Sequence, residues 1–69
     1  MQQSMDRLFA EFLRKQRGDL PYAAFARKLG ITASSLFRLE NCQQSTTLKT
    51  LQQICNRLKV KPQDIFSKF

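Results

Sequence analysis

Residues 22–41 read Tyr22-Ala-Ala-Phe-Ala-Arg-Lys-Leu-Gly-Ile-Thr-Ala-Ser-Ser-Leu-Phe-Arg-Leu-Glu-Asn41, and the order of small, apolar and capping residues in this stretch decides the fold. Ala23, Ala24 and Ala26 are strong helix formers following Pro21, whose missing N–H is no loss at the first position of a helix. Gly30 stops that helix. Thr32 is the next N-cap candidate, and Leu36 and Leu39 give residues 33–40 one apolar side. Only Leu29-Gly-Ile-Thr32 separates the two helices, too short a connection for a relaxed antiparallel hairpin. A sharp crossing follows. Gly30 accepts positive φ at the corner without a Cβ penalty, and Ala26 is small enough for the helices to approach closely. Phe25, Leu29, Ile31, Leu36 and Leu39 then fall where the two helices face each other and the rest of the chain.

The flanks continue the helical period. Before this stretch, Leu8, Phe9, Phe12 and Leu13 recur at three- and four-residue spacing, with Asp6, Arg7, Glu11, Arg14 and Lys15 between them. Ser4 is the N-cap candidate of this first helix, Asp6 suits its first turn, and Gly18 stops it beyond Arg17. After Asn41, residues 43–47 are polar and capping-prone. Leu48, Leu51, Ile54, Cys55 and Leu58 then mark the apolar face of a fourth helix, which residues 59–61 close. Pro62 starts a last turn or two carrying Ile65, Phe66 and Phe69. Period-two alternation, repeats, linkers and low-complexity tracts are absent, so the expectation is an all-α chain of five helices forming a single domain over residues 1–69.

Composition narrows the functions open to such a chain. The longest apolar run, residues 22–26, is far below the roughly 18 residues a bilayer requires. No basic segment followed by an apolar stretch opens the sequence, so the expected compartment is the cytoplasm, and neither end carries a long basic amphipathic helix for a membrane surface. Histidine is absent and only Cys42 and Cys55 are present. The usual ligand sets for zinc and haem are therefore missing, as are Ser-His and Cys-His catalytic pairs. An enzyme, a metal and a cofactor are all unexpected. Cys55 lies on the apolar face of its helix and reads as a small core residue, and a disulfide to Cys42 is not expected in a reducing compartment. Twelve Lys and Arg against five Asp and Glu give a net charge of +7, which implies a polyanionic partner, nucleic acid before membrane. Within residues 22–47 the charges are Arg27, Lys28 and Arg38 against Glu40, a net +2, so most of the excess lies in the first helix and in residues 57–61.

Spacing side chains of the third helix about 100° apart puts Leu36, Leu39 and Ser35 on one side and Ala33, Ser34, Phe37, Arg38 and Asn41 on the other. A helix laid in a major groove would show the second set to base edges. Ala33, Ser34, Phe37 and Arg38 are the candidate base-reading residues. Arg38 carries the most information, because its planar fork can give two hydrogen bonds to O6 and N7 of guanine, worth about 1 to 3 kcal/mol of discrimination. Ser34 can donate or accept, and Ala33 offers a methyl suited to thymine. Phe37 has no core to fill on this face. A thymine methyl, a protein partner and plain exposure all remain open for it. Candidate phosphate contacts are Tyr22, beside the free N–H groups at the start of the second helix, with Thr32, Asn41, Gln43, Gln44, Ser45 and Thr46. Arg14, Lys15, Arg17, Arg27 and Lys28 would add longer-range charge. Glu40 turns back beside Leu36 and requires a cation.

From Phe25 to Asn41 the sequence resembles the lambda-repressor-like, Cro-type (XRE) family of helix-turn-helix DNA-binding domains. Leu13-Arg14 and Gly18 resemble its first-helix segment, with Asp19 as an apparent insertion. Leu48-Lys-Thr-Leu51 through Asp64-Ile-Phe66 resembles its last two helices. The resemblance covers nearly the whole chain. It implies a compact five-helix bundle whose second and third helices form the helix-turn-helix, reading double-stranded DNA in the major groove as a transcriptional regulator, by default a repressor. It also implies a homodimer on a pseudo-palindrome with half-sites about 34 Å apart, with Ile65, Phe66 and Phe69 as candidate dimer contacts. Closing the core is the favoured role for the first two of these. Arg14 stands where the family places the partner of Glu40, suggesting a structural ion pair. Tyr22 replaces a common Gln, longer polar or basic side chains are frequent at Ala33 and Ser34, and Cys42 replaces a frequent Gly at a left-handed position. There Cys implies mild strain or an altered helix end. The alternative from another class is a protein-interaction module of the same fold, an antitoxin or adaptor, with Phe37 as its anchor.

Overall fold

The structure, a computed structural model, describes residues 5–66. The helices are α1 (Met5–Arg17), α2 (Tyr22–Leu29), α3 (Ala33–Glu40), α4 (Leu48–Leu58) and α5 (Pro62–Ile65), with no strand among the described residues. Ser4 and Phe69 lie outside that span.

Each helix end has a local cause. Asp6 sits in the first turn of α1 and Arg14, Lys15 and Arg17 in its last, the arrangement that complements the helix dipole. Gly18 closes α1 at φ +56°, donating its N–H to the Arg14 carbonyl at 3.0 Å. Pro21 precedes α2 as its extended cap residue rather than forming its first helical position, and its carbonyl accepts the Phe25 N–H at 3.1 Å. Thr32 and Thr47 cap α3 and α4, each hydroxyl accepting the N–H three residues on, from Ser35 at 3.0 Å and from Thr50 at 3.1 Å.

At their other ends α2 and α4 finish on a left-handed residue, Gly30 (φ +78°) and Lys59 (φ +59°), while α3 ends on Asn41 (φ −107°) and the left-handed residue, Cys42 (φ +56°), follows it. In each, the next residue's N–H reaches back to a carbonyl five positions earlier: Ile31 to Ala26 at 3.0 Å, Gln43 to Arg38 at 2.8 Å and Val60 to Cys55 at 3.0 Å. A non-glycine residue in that conformation carries the mild strain expected at Cys42.

The apolar faces meet in one cluster of Phe9, Leu13, Phe25, Ala26, Leu29, Leu36, Leu39, Ile54, Cys55 and Ile65, with Phe12, Ile31, Leu51, Leu58 and Phe66 packed at its edge. Fully burying such side chains is worth about 1.5 to 3 kcal/mol each. Leu48 departs from expectation at 84% exposed. As the first residue of α4 it projects past the end of the core, between two open grooves that share Leu51. Of the candidate dimer contacts, Ile65 is buried and Phe66 packs on the core, so both close the interior of this chain.

The α2–α3 corner is held from below. Gln53 on α4 donates through Nε2 to the carbonyls of Leu29 and Gly30, both at 3.1 Å, so the last carbonyls of α2 find a partner in a third helix. Any side chain at position 30 would collide with this clamp, because an added Cβ would stand 2.8 Å from Gln53 Nε2.

Candidate nucleic-acid interface

Packing orients α3. Leu36, Leu39 and Glu40 are buried, Ser35 is half-buried, and Ala33, Ser34, Phe37, Arg38 and Asn41 are exposed. The outer face expected from helix geometry is thus presented as one surface. On it the Arg38 guanidinium leans toward the following loop, its Nη1 lying 3.4 Å from Gln44 Oε1. Phe37 is 45% exposed and meets the ring of Tyr22 edge-on, with centroids 5.8 Å apart and planes at 67°.

Glu40 does turn inward, leaving only 1% of the residue accessible. Its carboxylate partner is Arg17 and not Arg14, which corrects the pairing implied by the family resemblance. Arg17 Nε donates to Oε2 at 2.9 Å and Nη2 to Oε1 at 3.1 Å, a bidentate pair. Arg14 instead donates from Nη2 to the Glu40 backbone carbonyl at 2.7 Å. The two arginines are three residues apart on one face of α1, so both reach the end of α3; the one nearer the α1–α2 connection takes the carboxylate. From there Arg17 also donates to the Leu20 carbonyl at 3.0 Å and lies 4.2 Å above the centre of the Tyr22 ring. The hydrogen bonds to Glu40 raise the Arg17 pKa above its already high value, against an opposing effect of desolvation.

The candidate phosphate contacts divide. Tyr22 is half-buried at the start of α2, where no side chain caps the helix and the first N–H groups lack intrahelical partners. Gln43 is exposed beyond α3 and Gln44 is the partner of Arg38. The remaining four are engaged within the molecule. The Thr32 hydroxyl caps α3, Asn41 Nδ2 donates to the Phe37 carbonyl at 2.8 Å, and Thr46 donates to the Thr47 carbonyl at 3.3 Å. Ser45 donates to Asp6 Oδ2 at 2.8 Å, tying the loop to α1.

On the outer face of α3 the one charged side chain is Arg38, and Asp6 of α1 meets the loop that follows through Ser45. Glu40 is the sole carboxylate in residues 20–63, and it is buried. Arg27, Lys28, Arg38, Lys49, Arg57, Lys59 and Lys61 are all exposed. Helix geometry already turned Glu40 inward beside Leu36, and the fold buries it there. Arg17, Gln44 and Gln53 acquire their roles through contacts that spacing along the chain does not announce.

Cys42 is exposed and Cys55 buried, both as free thiols, and burial chiefly, with the charge of Asp64 adding, pushes the Cys55 thiol above its ordinary range. Among the described residues no group of His, Cys, Asp and Glu is placed to hold a metal ion, and no helix is long and apolar enough to cross a membrane.

Comparison with curated proteins and with solved structures finds no match. A family model described as helix-turn-helix matches residues 12–65, from the second half of α1 through α5, a span that includes the α2–α3 corner and the outer face of α3. The chain therefore belongs to the lambda-repressor-like, Cro-type (XRE) helix-turn-helix family, whose domains are of the DNA-binding, transcription-regulator type.

Proposed function

We propose that this chain, a single domain over residues 1–69, is a sequence-specific double-stranded DNA-binding regulator of the cytoplasm that acts as a repressor by occupying promoter or operator DNA. In this reading α3 lies in the major groove with Ala33, Ser34, Phe37 and Arg38 toward base edges. Arg38 supplies the main directional contact, two hydrogen bonds to a guanine. The free N–H groups at the start of α2, the Tyr22 hydroxyl and Gln43 hold flanking phosphates, while Thr32, Asn41, Gln44, Ser45 and Thr46 shape the backbone that presents them.

The observation that carries the reading is electrostatic. Over residues 20–63 the surface exposes seven cations and no carboxylate, because Glu40 is drawn inside by Arg17. A polyanion such as DNA is complementary to that excess of exposed cations. One copy covers few base pairs, so two copies on a pseudo-palindromic site supply the affinity. With Ile65 and Phe66 committed to the core, Phe69 is the candidate contact that remains of the three.

The exposed ring of Phe37 favours one other reading, a protein-interaction module of antitoxin or adaptor type. Selection from a random duplex library, followed by binding at several salt concentrations, separates them. A DNA regulator enriches a defined sequence and binds with an affinity falling linearly in log salt, and Arg38→Ala alters the base preference. Equal binding to every duplex, with Arg38→Ala weakening all alike, would reduce the activity to charge alone. Binding to none would favour the interaction module.

A further inference from the structure

Phe37 is a large apolar side chain on a face otherwise made of Ala33, Ser34, Arg38 and Asn41. Although 45% exposed, it is not loose. The Glu40 carboxylate clamps Arg17 through two hydrogen bonds, the Arg17 guanidinium lies 4.2 Å over Tyr22, and the Tyr22 ring meets Phe37 with centroids 5.8 Å apart. Side chains from α1, α2 and α3 thus form a chain of contacts from a buried charge to an outward aromatic ring. A ring braced in this way gives up little conformational freedom when something docks on it.

What docks is indicated by the surroundings. An apolar protein segment would find Phe37 next to Arg38, on a face of α3 whose other exposed side chains are Ala33, Ser34 and Asn41 and which presents no carboxylate. The major groove of DNA is polyanionic at its rim and carries one strongly apolar feature on its floor, the C5 methyl group of thymine, which aromatic and small aliphatic side chains contact. We propose that Phe37, braced by Tyr22, reads the C5 methyl of a thymine in the site that α3 enters. This deepens the assignment of α3 as the base-reading helix and rests on it. Phe37 makes the contact, and Tyr22 is a positioning residue.

The test replaces each thymine of a selected duplex, one at a time, by deoxyuridine, which removes that methyl and leaves every hydrogen-bonding group of the base pair. Binding should weaken about fourfold at one or more thymines, the affinity equivalent of one methyl-sized group returned to water. With Phe37→Ala at least one of these replacements should become silent, while one at a thymine met by Ala33 keeps its effect. That change trims a half-exposed ring, and thermal melting of the variant verifies the fold. Tyr22→Leu should reduce the thymine-to-uridine ratio at the positions that Phe37→Ala silences, a quantity that simple loss of stability does not move. Selective binding with no uridine effect, or uridine effects that all persist in Phe37→Ala, would overturn this role for Phe37 and leave α3 as the reader. Absence of any selective binding would overturn both.

Discussion

Replacing Gly30 by alanine should cost considerably more than replacing Gly18, although both glycines have positive φ, at +78° and +56°. The difference lies in what the new methyl meets. At Gly18 nothing stands within 4 Å of an added Cβ. The penalty is left-handed strain of about 1 to 2 kcal/mol, partly offset by a less flexible unfolded chain, for a net of about 1 kcal/mol. At Gly30 the same strain is joined by contacts at 2.8 Å with Gln53 Nε2 and 3.2 Å with Arg57 Nη2. The Gln53 amide must swing away, giving up its hydrogen bonds to the Leu29 and Gly30 carbonyls. At about 0.5 to 1.5 kcal/mol for each bond, and with the outer one open to water, Gly30→Ala should cost about 2 to 3 kcal/mol. Urea unfolding monitored by circular dichroism measures both variants. A double-mutant cycle then locates the excess, because in a Gln53→Ala background Gly30→Ala should fall to about the Gly18 value. Equal losses at the two glycines, or an excess that survives removal of Gln53, would refute the argument that α4 clamps the α2–α3 corner.

Glu40→Gln should lower the urea midpoint clearly while Asp19→Asn, at an exposed carboxylate, leaves it nearly unchanged; equal effects would contradict a buried Arg17–Glu40 pair. Cys42→Gly should stabilise the fold by up to about 1 kcal/mol, read as an increase in unfolding free energy, by relieving the left-handed strain at the end of α3. Burial raises the Cys55 thiol above its ordinary value of 9.0, so the unfolded chain ionises first. The stability this contributes is complete below about pH 9 and is lost as pH rises through the folded value, so Cys55→Ala should show a shallower alkaline decline than the parent protein. An identical decline would show that other groups set it.

The sequence was most legible where a local rule decides the outcome. Thr32 caps α3 where its place in the pattern implies, the cap of α4 falls on Thr47, the last of the capping-prone residues 43–47, and Leu36 and Leu39 turn Arg38 outward by helix geometry alone. The left-handed conformation of Cys42, just after α3, followed from the family resemblance and not from the residue itself. Less legible was anything requiring a choice between side chains on the same face. Arg14 and Arg17 both reach the end of α3, and which takes the Glu40 carboxylate depends on how α1 is docked, a tertiary quantity. Gln53 reaches the α2 corner from a helix whose sequence marks only its apolar side. Leu48 fits the apolar period of α4 yet projects beyond the core, because periodicity gives a direction but not the place where the neighbouring helices stop. Most of the phosphate candidates were polar residues outside the helices, and five of the seven are engaged by hydrogen bonds within the chain.

The assignment of α3 as the reader is tested most directly by following backbone amide resonances while a selected duplex is titrated into the labelled protein. The account predicts that the largest shifts occur at Ala33, Ser34, Phe37 and Arg38, with a second group at the start of α2. Shifts confined to α4 and α5, with the outer face of α3 unmoved at saturation, would contradict it.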